Sequence, residues 1–254
     1  MTITSKLAVI TGGSRGLGRS AAVHLARVGV GSIITYRNNK AEADNAVAEI
    51  ENAGAKAVAL PFDAASASTF GDFAGAVKRA LRQTFERERF DYLVNNAGHG
   101  LSKPFAETTE AELDDMYAVH LKAPYLLTQQ LLPLIEDGGR ILNVSTGLAR
   151  FTMPGSSAYA AMKGGVEVLT RYMAKELGAR QISVNVIAPG AIETDFNGGR
   201  VRDNPQVNKM IASLTALGRV GQPDDIGGAI ASLLRGETKW ITGQRIEASG
   251  GQGL

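Results

Sequence analysis

Tyr159 and Lys163 stand four residues apart in Tyr159-Ala160-Ala161-Met162-Lys163, a spacing that puts two side chains on one face of a helix. An ammonium beside a phenol favours phenolate and draws the phenol's pKa down from about 10. A tyrosine so placed can hand a proton to a carbonyl oxygen as hydride arrives, or take one in reverse. The same two residue types also fall four apart with no chemistry attached, so the surroundings decide.

A second candidate is the glycine-rich stretch Thr11-Gly12-Gly13-Ser14-Arg15-Gly16-Leu17-Gly18, which follows the apolar run Leu7-Ala8-Val9-Ile10. Glycine takes positive φ and lets a pyrophosphate come close, and a helix start offers free N–H groups and a positive dipole end. Gly12, Ser14, Arg15, Gly16, Leu17 and Gly18 are the expected phosphate contacts. The spacing is G-x-x-x-G-x-G, and its weight comes from lying between a strand and a helix. The next apolar run ends in Tyr36-Arg37-Asn38-Asn39, with no acid before Glu42. An acid there would accept from a ribose 2′-OH and repel a 2′-phosphate. Arg37 and Arg15 can instead pair with that phosphate, which points to NADP(H); the plain alternative is two solvated surface arginines.

The elements that must carry these residues alternate along the chain. Strands are expected at residues 7–10, 32–36, 55–62, 92–94, 140–145, 182–187 and 244–248. Helices are expected from the glycine turn to about 28, and over 41–52, a stretch reaching 88, 110–132, 157–177 and 223–234. Seven apolar strands alternating with helices predict a Rossmann-type doubly wound α/β fold, a seven-stranded parallel sheet with helices on both faces. Strands buried on both sides read as continuous apolar runs. No linker or repeat divides residues 1–254, so one dinucleotide-binding and catalytic domain is expected.

Cysteine is absent, which excludes disulfides, thiolate nucleophiles and cysteine-ligated zinc; no metal is expected. Net charge is only +2, and the basic stretch 78–89 is interleaved with Glu86 and Glu88, a solvated helix face with no nucleic-acid partner. No apolar run reaches membrane-spanning length. Residues 1–6 lack a signal-peptide pattern, so a cytoplasmic location is the default.

With these residues in order, the chain resembles a single-domain short-chain dehydrogenase/reductase over essentially its whole length. The resemblance rests on Thr11 to Gly18, Asp63, Asn95-Asn96-Ala97-Gly98, Tyr159 with Lys163, Pro189-Gly190, and Ser249-Gly250-Gly251. It is similar to acyl-carrier-protein ketoreductases and to polyol or sugar dehydrogenases without separating them. The resemblance implies that Tyr159 is the general acid/base and that Lys163 lowers its pKa and holds the nicotinamide ribose. A hydroxyl that bonds the reacting oxygen falls on the pair Ser145-Thr146; Thr146 keeps the family spacing to Tyr159, and Ser145 is the alternative. His120 stands where the family usually has an asparagine that binds a relay water. An imidazole can hold such a water, in which case activity should fall as pH drops through the histidine range, nominally near 6.5 but movable by burial; a helix histidine without catalytic part is the other reading.

The same resemblance implies the remaining cofactor contacts. Tyr36, Arg37 and Asn38 lie at the adenosine ribose, and Asp63 with the backbone of Ala64 at the adenine. Asn95 steadies the sheet, and Ala97 and Gly98 lie against the cofactor. The loop from Pro189 and Gly190 through Ile192 and Thr194 takes the nicotinamide carboxamide. For Asp63 and Thr194 a simple cap or turn role remains open.

Loops 99–105, 147–157 and 193–217 should shape a small-molecule carbonyl or alcohol substrate. Leu101, Phe105, Phe151, Met153 and Phe196 are candidate apolar walls, and Arg150, Arg200 and Arg202 candidate partners of an acidic group. Leu126, Leu127, Val166, Val168 and Leu169 exceed what one helix face covers, which with the family habit implies a homotetramer or homodimer. A cofactor-sensing protein of the same fold without catalysis is the alternative function.

Overall fold

The computed structural model describes residues 6–254; the reading of residues 1–6 as lacking a leader pattern lies, except for Lys6, outside the described residues. The first half runs β1 (Leu7–Ile10), α1 (Gly16–Ala26), β2 (Gly31–Tyr36), α2 (Lys40–Asn52), β3 (Ala57–Pro61), α3 (Phe70–Phe85) and β4 (Phe90–Asn95). It continues through α4 (Glu110–Tyr117), α5 (Ala123–Leu131), β5 (Ile135–Val144), α6 (Ser157–Glu176) and β6 (Ser183–Pro189). The chain closes with α7 (Arg200–Asp203), α8 (Pro205–Ser213), α9 (Pro223–Arg235) and β7 (Arg245–Ala248).

The strands form one seven-stranded sheet in the order β3-β2-β1-β4-β5-β6-β7, parallel throughout. This is the doubly wound α/β fold that the apolar runs predict. Alternate residues of one strand serve opposite faces. Leu7 and Val9 pack with Phe73, Val77 and Leu127 on the α3–α5 side. Ala8 and Ile10 pack with Leu25 and Ile230 on the α1–α9 side. Strand order reverses between β1 and β4, and the crevice beyond their carboxyl ends is where such folds bind ligands.

Three elements differ from expectation. The helix expected over 110–132 is interrupted by one π turn at Ala118–Lys122. Pro124 has no N–H to give the His120 carbonyl, and the turn widens so that the Ala123 N–H reaches Ala118 O. β5 begins at Ile135, five residues before the expected start, because Ile135 pairs with Phe90 ahead of a register shift. Gly138, at φ 75°, lies between Ile135 and the paired run that begins at Arg140. Finally, α7 and α8 occupy a segment expected as loop; Asn204 caps α8 by accepting from Gln206 N and Val207 N at 3.1 and 3.0 Å.

Candidate active site

The phosphate turn lies at the switch point. Gly12 and Gly16 have φ of 65° and 55°, and a Cβ on Gly18 would overlap the Gly12 carbonyl oxygen. Arg15 is the N-cap of α1 and supplies no side-chain cap, so the first N–H groups of the helix are left for an anion. The Asn96 side chain ties this turn to the end of β4, donating to Thr11 O at 2.8 Å and Gly12 O at 3.1 Å. Thr35 at the end of β2 accepts from Gly12 N at 2.9 Å. Neither Asn96 nor Thr35 has a role assigned from sequence, although Asn96 stands in the motif Asn95-Asn96-Ala97-Gly98.

Arg37 and Asn38 are exposed just beyond β2 and Tyr36 is half-buried. Asn39 is engaged as the cap of α2. Arg15 lies 3.5 Å from Asp195, both largely exposed, a contact too weak to hold it. Asp63 accepts from Ala65 N at 3.0 Å, the turn role that the sequence left open, while Ala64 is buried. Thr194 likewise accepts from Phe196 N at 3.2 Å. Gly190 and Ile192 lie beyond Pro189, where the buried Gln252 accepts from Ala191 N at 3.0 Å. These residues fit a phosphorylated dinucleotide: a glycine cradle with free donors, no acid at the ribose end, and an exposed guanidinium there.

Tyr159 and Lys163, on the first turns of α6, are both buried. The Lys163 ammonium sits 5.7 Å from the Tyr159 ring centroid and donates to Val144 O at 2.6 Å. Burial lowers the lysine to about 8. Burial raises the phenol above its ordinary value, with a hydrogen bond from Thr146 pulling the other way. Burial outweighs any lowering, and the phenol holds its proton at neutral pH.

Ser145 and Thr146 part company. Ser145 is buried and its hydroxyl donates to Glu167 Oε1 at 2.7 Å, away from Tyr159. Thr146, extended at φ −159°, ψ 153°, accepts from Leu148 N at 3.3 Å and is the one whose hydroxyl draws the phenol's pKa downward. Behind them Asn95 donates to Thr128 Oγ1 at 3.0 Å and Asn143 Oδ1 at 2.8 Å. Asn143 donates on to Thr170 Oγ1 at 2.9 Å. This buried chain of amides and hydroxyls braces the sheet between α5 and α6.

His120 faces the same centre, its ring 5.0 Å from that of Tyr159 and nearly perpendicular. A Cβ on Gly98 would meet His120 Cε1 at 2.5 Å, so glycine there admits the ring, with Ala97 packed on the core just before it. Nε2 lies 2.6 Å from His99 O; a carbonyl only accepts, so Nε2 carries the proton and Nδ1 is the bare acceptor. Nδ1 is buried and has no partner among the described residues. Burial, followed by the charge of Lys163, pushes the histidine down to about 2. Burial thus moves the histidine range, nominally near 6.5, below the working range, and the ring stays neutral there. What titrates is stability. The unfolded chain takes a proton below about 6.5 that the folded ring refuses until about 2, so stability falls as pH falls through that window. His120→Asn should flatten the acid-side fall of Tm, while kcat of both proteins stays level between about pH 5 and 7, below the range in which Lys163 loses its charge. A wild-type acid limb in kcat that His120→Asn removes would contradict this.

Of the expected substrate walls, Phe196 lies 5.7 Å from the Tyr159 ring, and Leu101 packs with Met116, Ala158 and Tyr159. Phe105 and Met153 border a cleft of about 640 Å³ that reaches Leu148 and Ala160. Phe151 packs against Gly147 and Gly253 instead. Arg150 donates to Gln252 O at 2.7 Å and Arg202 pairs with Asp195 and Asp203, so both are engaged within the protein; Arg200 is exposed.

A parallel sheet with a glycine cradle at its switch point and a buried Tyr–Lys pair beside it defines a dinucleotide-dependent oxidoreductase. Residues 12–252 match the family model described as enoyl-(acyl carrier protein) reductase, and the chain belongs to the short-chain dehydrogenase/reductase family. It is similar to LugOII, described as a promiscuous reductase catalysing keto-reduction at C1 during lugdunomycin biosynthesis. Identity is 38%, with TM-score 0.94 and all of both chains covered. It is also similar to the landomycin C-6 ketoreductase LanV solved with NADP and rabelomycin, at 32% identity and TM-score 0.90 over 99% of this chain and 98% of that one. A hydroxynaphthalene reductase-like protein, Arp2 of Metarhizium brunneum, is 32% identical over 98% of this chain and 96% of its own.

Proposed function

We propose that the protein is an NADPH-dependent ketoreductase acting on a ketone of a fused-ring aromatic compound. The observation that carries the reading is the buried Tyr159 phenol on α6, with the equally buried Lys163 ammonium 5.7 Å from its ring centroid and its pKa raised by burial. A phenol that holds its proton is set to give one, the need of carbonyl reduction. NADPH, when bound, supplies the hydride. Tyr159 passes its proton to the carbonyl oxygen as that oxygen gains charge, and the Thr146 hydroxyl donates a hydrogen bond to the same oxygen. Lys163 holds the nicotinamide ribose and keeps positive charge beside the phenolate left behind. His120, neutral with Nδ1 as a bare acceptor, accepts from a water that returns a proton towards Lys163. The keto-reduction of LugOII, the rabelomycin bound to the ketoreductase LanV and the hydroxynaphthalene in the name of Arp2, with the aromatic edges of Phe196 and His120 around Tyr159, support the fused-ring class.

The assay is NADPH oxidation with β-tetralone, an aliphatic aldehyde, a sugar and an enoyl thioester. β-Tetralone should turn over fastest; turnover of the enoyl thioester alone would replace a ketone by a carbon–carbon double bond as the target.

The working form is a homotetramer or homodimer in the cytoplasm. Leu127 and Val166 are core residues, but Leu113, Tyr117, Tyr125, Val168 and Tyr172 are exposed on α4 to α6, a patch of the kind that partners cover. Among the described residues no helix is long and apolar enough to cross a membrane. Light scattering should give an oligomer at micromolar concentration; a stable monomer would contradict it.

A further inference from the structure

Thr146 is held from behind by residues distant in sequence. Its carbonyl oxygen accepts from Arg245 Nη2 at 3.2 Å. Its neighbour Ser145 donates to Glu167 Oε1 at 2.7 Å, and the same carboxylate oxygen accepts from Arg245 Nε at 2.7 Å. Arg245 Nη1 is bonded to Glu247 on its own strand. One guanidinium thus meets three acceptors with its three nitrogens, a use of the planar fork that lysine cannot copy. The side chains of Glu167 and Arg245 retain only 14% and 23% of their exposure, so the pair is shielded from much of the screening that weakens surface contacts.

In extended backbone, successive side chains point to opposite sides. Here Ser145 points to Glu167, and the Thr146 hydroxyl, which accepts from Leu148 N at 3.3 Å, lies on the side where it lowers the pKa of Tyr159. Fixing the Ser145 hydroxyl and the Thr146 carbonyl on the far side therefore fixes where the Thr146 hydroxyl can lie. We infer that the Arg245–Glu167 pair is a positioning device for the Thr146 hydroxyl, and that Ser145 is its strut and does not meet the substrate. The inference rests on the reading that Thr146 bonds the reacting oxygen. Loosening the pair shifts that hydroxyl without touching the glycine cradle, so the loss falls on kcat and spares cofactor binding.

The test is a double-mutant cycle on β-tetralone reduction with wild type, Arg245→Lys, Thr146→Ala and the double variant, with NADPH Kd measured for each. Arg245→Lys should lower kcat by about 10- to 100-fold while KM and NADPH Kd stay within about two-fold. In the Thr146→Ala background the same change should lower kcat no further. Losses that multiply in the double variant would show Arg245 acting elsewhere, overturning the inference and leaving the ketoreductase reading intact. A wild-type kcat for Thr146→Ala would remove Thr146 from the reaction and take the inference with it. Should circular dichroism show Arg245→Lys unfolded, Ser145→Ala enters the same cycle. Its loss should stay below about 10-fold and vanish beside Thr146→Ala. A loss for Ser145→Ala exceeding that of Thr146→Ala would place Ser145 at the substrate and overturn the inference.

Discussion

Tyr159→Phe is expected to cut ketone reduction by about 10²–10⁴-fold, the usual contribution of a positioned general acid, with NADPH affinity close to wild type. The substitution removes one oxygen and its proton and leaves the ring that packs between His120 and Phe196. Burial holds the phenol's pKa above its ordinary value, so the tyrosine is uniformly protonated at neutral pH and no smaller fraction masks the loss. Single-turnover NADPH oxidation, with cofactor binding followed separately by fluorescence, checks both halves. Activity within a few-fold of wild type would remove Tyr159 from the mechanism. A loss of cofactor affinity matching the loss of rate would make it a binding residue.

The second large effect concerns the cofactor's 2′-phosphate. Arg37 is exposed beyond β2, no ion pair engages it among the described residues, and no acid precedes Glu42. Charge-assisted hydrogen bonds contribute about 1.5–3 kcal/mol each, and every 1.4 kcal/mol is about tenfold in affinity. Arg37→Asp replaces attraction by repulsion, so the preference for NADPH over NADH should shrink by about 10- to 100-fold, mostly through weaker NADPH binding. The paired titrations of wild type and variant with both cofactors measure it. Arg15→Ala should cost less, since that side chain is 66% exposed and shared with Asp195. Equal affinities of the wild type for the two cofactors would contradict the assignment.

The sheet was legible because its strands are buried on both faces, so runs such as Ile33-Ile34 and Leu93-Val94 stand out without any alternation. The Tyr159–Lys163 pair and the glycine cradle were legible for a different reason: each is local, its own residues lying close together in the chain. What escaped reading depends on contacts across the fold. Whether Ser145 or Thr146 faces Tyr159 is decided by Glu167 and Arg245, which come from α6 and β7. The charge state of His120 is decided by burial and by the charge of Lys163, its tautomer by the carbonyl of His99, and a bare sequence gives only the ordinary value near 6.5. The π turn at His120 had its signal in Pro124, four residues on, which the strong apolar periodicity of that stretch outweighed. Likewise Asn204-Pro205 carries a cap and a first-turn proline, a helix start hidden inside a segment otherwise rich in turn residues.

The most direct test of the account follows the hydride itself. The protein is mixed with β-tetralone and NADPH carrying deuterium at the transferable position, and the product is examined by mass spectrometry and NMR. The account predicts one deuterium on the carbinol carbon, one NADPH consumed per alcohol formed, and no transfer by Tyr159→Phe. NADPH bound tightly with no deuterium reaching this ketone or any other fused-ring ketone would contradict it, and would leave a cofactor-binding protein that keeps the fold without the chemistry.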